Sequence, residues 1–187
     1  MHRPAEGTRT EDSLIVTAQL EREPRVPWRV ATRCRFGRPS TIASPPRLAD
    51  GTPFPTLFWL TCPWLVRRVG EEESRGSAAQ WAKRLAEDSV LAQRLEAADS
   101  RYRELRAAEG GGDDPCADVG IAGQREPIAT KCLHAHVAAY LAGTDDPVGE
   151  AVVCETEPEC DDDRCSPQAL ESRGLSQARS RGQEGTR

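Results

Sequence analysis

Thr56-Leu57-Phe58-Trp59-Leu60-Thr61-Cys62-Pro63 is the stretch that decides how this chain folds. Its first six residues carry no charge and include four large apolar side chains, the pattern of a short strand buried on both faces. Pro63 then suits the first position of a helix, where its missing N–H costs nothing and its φ is already helical. Residues 24–63 as a whole hold eight of the 14 prolines, which excludes a helix there. Residues 28–34 alternate like a strand, Gly37 allows a turn, and Pro39 forces extension before it. Residues 44–55 read as an ordered loop. A two- or three-stranded antiparallel sheet over residues 28–61 follows.

Downstream the chain turns helical. Pro63 opens a helix to about residue 69, and residues 70–76 form a charged break. Residues 77–108 have helical composition, with a candidate break at Asp88-Ser89. Leu91, Leu95, Ala98, Tyr102 and Leu105 recur at spacings of four, three, four and three, one apolar stripe flanked by charge. Such a stripe needs a cover, from this fold or from a second chain. Residues 109–115 read as a flexible linker. Thr130 can cap a last helix over residues 131–142, Gly143 fits its C-terminal position, and Pro147 ends any continuation. Ahead of the sheet, residues 13–22 fit a short helix, with a strand as the alternative because Ile15, Val16 and Thr17 are β-branched. Residues 1–12 read as a disordered tail, residues 13–153 as a single domain, and residues 154–187 as a disordered acidic and polar tail.

Composition narrows the function classes. The 187 residues carry a net charge of −5, which argues against a duplex DNA partner. No apolar run approaches the roughly 18 residues of a membrane span. Residues 1–6 show no apolar region behind their charge, so no signal peptide is expected and the cytoplasm is the expected location. Seven cysteines, an odd number, then read as thiols or ligands rather than a disulfide framework.

Three of those cysteines sit where a sulfur would be polarised. Cys62 precedes the proline of a helix start, and Cys132 lies near the start of the 131–142 helix beside Lys131; helix N-termini favour thiolate. Cys34 ends a strand before a glycine turn, between Arg33 and Arg35. His136 is four residues after Cys132 and shares its helix face, whereas His134 would face away in a regular helix. Three cysteines and a histidine make a common closed zinc set, and three cysteines with one further ligand suit an iron–sulfur cluster. The gaps of 28 and 70 residues match no compact zinc finger. The plainer alternative is that these cysteines are packed in the core as small hydrophobes, and a third reading is a nucleophilic thiolate at Cys62 or Cys132. Cys154, Cys160 and Cys165 fall in the acidic tail. The arginines at 25, 29, 33, 35, 38 and 47 could take a phosphorylated ligand or single-stranded RNA beside Trp28 and Phe36. The blander reading pairs them with acidic helices.

Residues 33–39, 46–63 and 131–134 together resemble an uncharacterised bacterial family, catalogued as domain of unknown function five hundred and one. The resemblance covers about residues 12–152, and its 50–63 motif is long and specific. It implies motif positions for Cys34, Gly37, Pro39, Cys62, Pro63, Lys131, Cys132 and His134, but not for His136. It therefore shifts the fourth ligand to His134, against the helix-face argument. The conflict resolves if Cys132 and His134 lie in a non-helical lead-in. Phe36 stands where the family often has a second cysteine. Family members are often encoded near a septum-formation initiator and an exopolyphosphatase.

The resulting expectation is an α+β domain, a small antiparallel sheet packed by helices, with a long amphipathic helix and disordered tails. Its leading function is a cytoplasmic metal- or iron–sulfur-binding protein, with zinc or a cluster on Cys34, Cys62, Cys132 and His134. The competing expectation is an interaction module linked to cell division, docking a protein partner through Leu91, Leu95, Tyr102 and Leu105. Neither settles whether the protein is an enzyme.

Overall fold

The computed structural model describes residues 6–126 and 130–172. It is an α+β fold, with a three-stranded antiparallel sheet in the order β1-β2-β3 and helices on both faces. The strands are β1 (Arg29–Arg33), β2 (Pro39–Ala43) and β3 (Phe58–Leu60). β1 and β2 form a hairpin whose turn closes by Gly37 N–H donating to Cys34 O at 2.9 Å, with Gly37 at a φ of 75° that only glycine adopts without strain. β3 pairs with β2 through Thr41–Leu60, Ile42–Trp59 and Ala43–Phe58.

Alternation along β2 and β3 divides the core in two. Ala43, Phe58 and Leu60 face the helical layer of α2 (Pro63–Ser74), α3 (Ser77–Glu87), α4 (Ser89–Glu109), α5 (Leu133–Leu141) and α6 (Pro147–Glu155). On the outer face, Ile42 lies under α1 (Glu6–Leu20), whose Ile15 and Val16 are buried. A 3₁₀ turn lies at Ile121–Gly123, and residues 167–172 are helical.

Capping residues explain the helix boundaries. Asp88 is extended and its Oδ1 accepts from Val90 N–H and Leu91 N–H at 3.0 Å, so it stops α3 and starts α4. The expected break at Asp88-Ser89 is therefore present. Asp146 does the same for α6, accepting from Val148 N–H and Gly149 N–H with Pro147 as the first helical residue. Pro147 thus opens a helix where the sequence suggested only an end. α2 continues through residues 70–74, which were expected to be a break, because Gly70 and the three glutamates tolerate helix in the absence of a proline. α1 begins at Glu6, inside the span expected to be a tail, and Asp12 on it is buried against Arg33 at 2.7 Å.

The α4 stripe is covered within this chain. Leu95, Ala98 and Tyr102 are buried, and Leu91 and Leu105 pack partly buried against the same core. The expectation of a partner docking through Leu91, Leu95, Tyr102 and Leu105 is corrected accordingly: the apolar surface it needs is already occupied. Tyr102 meets Phe58 edge-on at 5.8 Å, and its hydroxyl oxygen accepts from Leu57 N–H at 2.7 Å. One turn later Arg106 is fully buried. It pairs with Asp114 at 2.9 Å and donates to Pro55 O at 3.1 Å, and to Cys116 O and Val119 O. Residues 113–119, on the edge of the expected linker, are thereby tied to the helix.

The tail expected from residue 154 also needs correction. Through residue 172 the described chain folds back as an acidic strap over the β1–β2 turn and α2. Arg35 meets Asp161 at 2.9 Å, Arg38 meets Asp163 at 3.1 Å, and Arg68 meets Glu157 at 3.3 Å. Trp64 Nε1–H donates to Glu157 O at 2.7 Å. Cys160 and Cys165 are buried by these contacts. Residues 173–187 lie outside the described residues. No described helix is long and apolar enough to cross a membrane.

Candidate functional site

The start of α5 and one face of α2 build the site. Cys132 is the N-cap of α5, extended at φ −147° and ψ 109°, so it lies in a non-helical lead-in and His134 is in the first turn. This backbone lets both side chains converge, although two residues apart they would diverge on a regular helix. Opposite them on α2, Val66, Gly70 and Glu73 share one face at helical spacing. The His134 ring lies over Gly70, where a Cβ added to the glycine would stand 4.0 Å from Cε1.

Glu73 joins the two elements. Its Oε1 accepts from Leu133 N–H at 2.6 Å, capping α5 from another helix at the positive end of its dipole. Its Oε2 stands 3.2 Å from His134 Nδ1. The other ring nitrogen, Nε2–H, donates to Val66 O at 2.9 Å. The Cys132 sulfur, an imidazole nitrogen of His134 and a Glu73 oxygen all lie within 4.8 Å of one another. All three residues are partly exposed, so the group can be reached from solvent.

Electrostatics follow from the same contacts. The hydrogen bond to Cys132 is the largest cause raising the His134 pKa to about 9; the Val66 carbonyl and the Glu73 charge add to it, and burial opposes. Without a metal, a proton occupies the space between Nδ1 and its acidic neighbours at neutral pH. A metal ion would take that proton's place.

The other expected ligands are elsewhere. Among the described residues, neither Cys34 nor Cys62 joins a group of three ligand atoms this close. Cys34 is half-buried in the hairpin turn. Cys62 does occupy the N-cap position of α2, but burial pushes its thiol pKa up and outweighs the Leu65 and Trp64 amides; Cys165 and Cys160 push the same way. The thiolate expected there from the helix N-terminus is thus corrected by desolvation. His136 is buried, with Nδ1 2.7 Å from Asp146, the α6 cap. All seven cysteines are unbridged. Five arginines of the basic cluster are paired with carboxylates, but only Arg29, Arg33 and Arg38 meet helices as the blander reading expected, Arg38 through Glu11; Arg35 meets the strap and Arg47 a loop. Arg29 pairs with Glu109, Arg33 with Asp12, Arg35 with Asp161, Arg38 with Asp163, and Arg47 with Asp113.

Sequence reasoning missed Glu73. The available signal was its place three residues after Gly70 and seven after Val66, had α2 been continued through the glutamates.

The sequence model of the family described as protein of unknown function (DUF501) matches residues 30–154. The match includes the sheet, α2 and α5, and ends before the acidic strap. No curated protein and no solved structure matches the chain.

Proposed function

The chain belongs to the DUF501 family, and we propose that it is a metal-binding protein whose ion is held by Cys132, His134 and Glu73. The convergence of three different ligand atoms at one partly exposed point carries this reading. It is supported by the far side of the ring: a metal-ligating histidine commonly donates its other ring N–H to a carbonyl, which fixes the ring's orientation, as His134 does to Val66. A thiolate, an imidazole and a carboxylate suit zinc better than an iron–sulfur cluster, which needs more sulfur. Three protein ligands leave a fourth position open, and an ion there would supply Lewis-acid chemistry. The cytoplasm, where thiols stay reduced, is the compartment this reading requires.

The test is titration of metal-free protein with cobalt, read by thiolate-to-cobalt absorbance, and with zinc in competition. One ion per chain is expected. Cys132→Ser and His134→Ala should abolish binding. Glu73→Gln, which keeps an acceptor for Leu133 N–H, should weaken it by at least about tenfold. Cys34→Ser and Cys62→Ala should leave it unchanged. Undiminished binding by Cys132→Ser or His134→Ala, or dependence on Cys34 and Cys62 instead, would overturn the assignment.

The approach of the Cys132 sulfur to the His134 ring, within 4.8 Å, favours one second reading, a nucleophilic Cys132 activated by the neighbouring imidazole. Its signature is fast alkylation of Cys132 at neutral pH in metal-free protein, slowed by His134→Ala. A Cys132 no faster than exposed Cys154 would exclude it.

A further inference from the structure

The 46–63 motif contributes nothing to the Cys132 site, yet it builds a cavity on the opposite face of the sheet. Ile42 and Trp59 are cross-strand partners there. Phe54 stacks on Trp59 with ring centroids 5.7 Å apart and planes 11° from parallel. The loop holds Phe54 in place by pairing with itself. Phe54 N–H donates to Pro46 O at 2.8 Å and Leu48 N–H to Thr52 O at 2.9 Å. Gly51, at a φ of 85°, completes the turn between them. Leu20 from the end of α1 and Val26 from the connector to β1 close the apolar walls. The cleft is open to solvent on one side and holds about 310 Å³, at the lower end of the range for small-molecule sites, roughly 300–1,000 Å³.

Unpaired charge says what the cavity would take. Arg22 and Arg25 line it and are exposed, and neither pairs with a carboxylate among the described residues. The arginines at 29, 33, 35, 38 and 47 all do. An apolar, aromatic wall with two unpaired guanidiniums is complementary to one kind of molecule. We propose that this cavity binds a small amphiphile with an anionic head and an apolar body, the head on Arg22 and Arg25 and the body against Phe54 and Trp59.

The probes are octanoate and 1-octanol, which share a chain length and differ in charge. Full-length ¹⁵N-labelled protein is titrated with each and followed through the Trp59 indole N–H resonance. Octanoate should give a saturable one-site shift, with 1-octanol at least about tenfold weaker. Arg22→Ala with Arg25→Ala should bring octanoate down to the level of 1-octanol. Both positions are exposed, so the rest of the spectrum should stay in place. Equal affinity for the two probes, octanoate binding that survives the double substitution, or no saturable Trp59 shift would each overturn the proposal.

Discussion

Replacing Arg106 with methionine tests how the helical layer is fixed to the sheet. Methionine keeps most of the stem's packing volume and removes the guanidinium. Asp114, whose side chain is 6% exposed, then loses its only cationic partner at ion-pair distance among the described residues. Leaving a buried charge uncompensated costs about 3–5 kcal/mol. The carbonyls of Pro55, Cys116 and Val119 lose a donor as well, at about 1 kcal/mol each before relaxation. These losses overlap, so we expect about 4 kcal/mol, a large share of the roughly 5–15 kcal/mol typical of a domain. Asp114→Asn removes the stranded charge and keeps an acceptor for Cys116 N–H, now at 2.9 Å from Oδ1. The Arg106→Met/Asp114→Asn protein should therefore regain about 2 kcal/mol over Arg106→Met alone. Urea unfolding followed by circular dichroism, with an unchanged m-value, reads each step. A single-mutant loss below about 1 kcal/mol, or a double mutant as unstable as the sum of the two singles, would refute the reasoning.

Three further outcomes are expected. Gly149→Ala would place a Cβ 2.3 Å from His136 O and 2.6 Å from Tyr140 Cβ, forcing α6 away from α5; thermal unfolding should show a loss of about 3 kcal/mol, and a wild-type melting temperature would contradict the close approach. Asp88→Ala should cost about 1 kcal/mol through loss of the α4 cap while Asp88→Ser costs almost nothing, a difference that urea melts resolve. In metal-free protein, the His134 pKa is raised from 6.5 to about 9, so its stabilisation is complete below about pH 6.5 and is lost as pH rises through about 9. Unfolding measured across that window should slope downward, and His134→Gln should remove that part of the slope; an identical slope in the variant would show that His134 is not its source.

The elements most legible in the sequence were those written in local chemistry. The apolar run at residues 57–60 and Pro63 marked β3 and the start of α2, and Asp88 marked the break between α3 and α4. The four-three spacing of Leu91, Leu95, Ala98, Tyr102 and Leu105 fixed a helix face, but periodicity does not say whether the cover comes from the same chain. At the site, Cys132 and His134 were within reach of motif reading. Glu73 was not, because its role depends on α2 packing beside α5. Cys62 illustrates a competition between two local effects: the helix start was legible and the burial that outweighs it was not. The strap escaped notice for a different reason. Its attachment relies on Arg35, Arg38 and Arg68 meeting carboxylates over 89 or more residues of chain, and composition alone reads such a segment as solvated.

That mode of attachment sets the order in which the molecule comes apart. Exposed ion pairs contribute at most about 1 kcal/mol each and weaken with salt, whereas the helical core is held by apolar burial that salt does not screen. Residues 157–165 should thus open as a unit of their own, ahead of global unfolding and at rising frequency as ionic strength increases. Cys160 and Cys165 would become reachable in that open form while Leu133 and Val137 stay shielded. Thiol-modification rates at those two cysteines would then measure the strap's private equilibrium, separately from the stability of the domain it rests on.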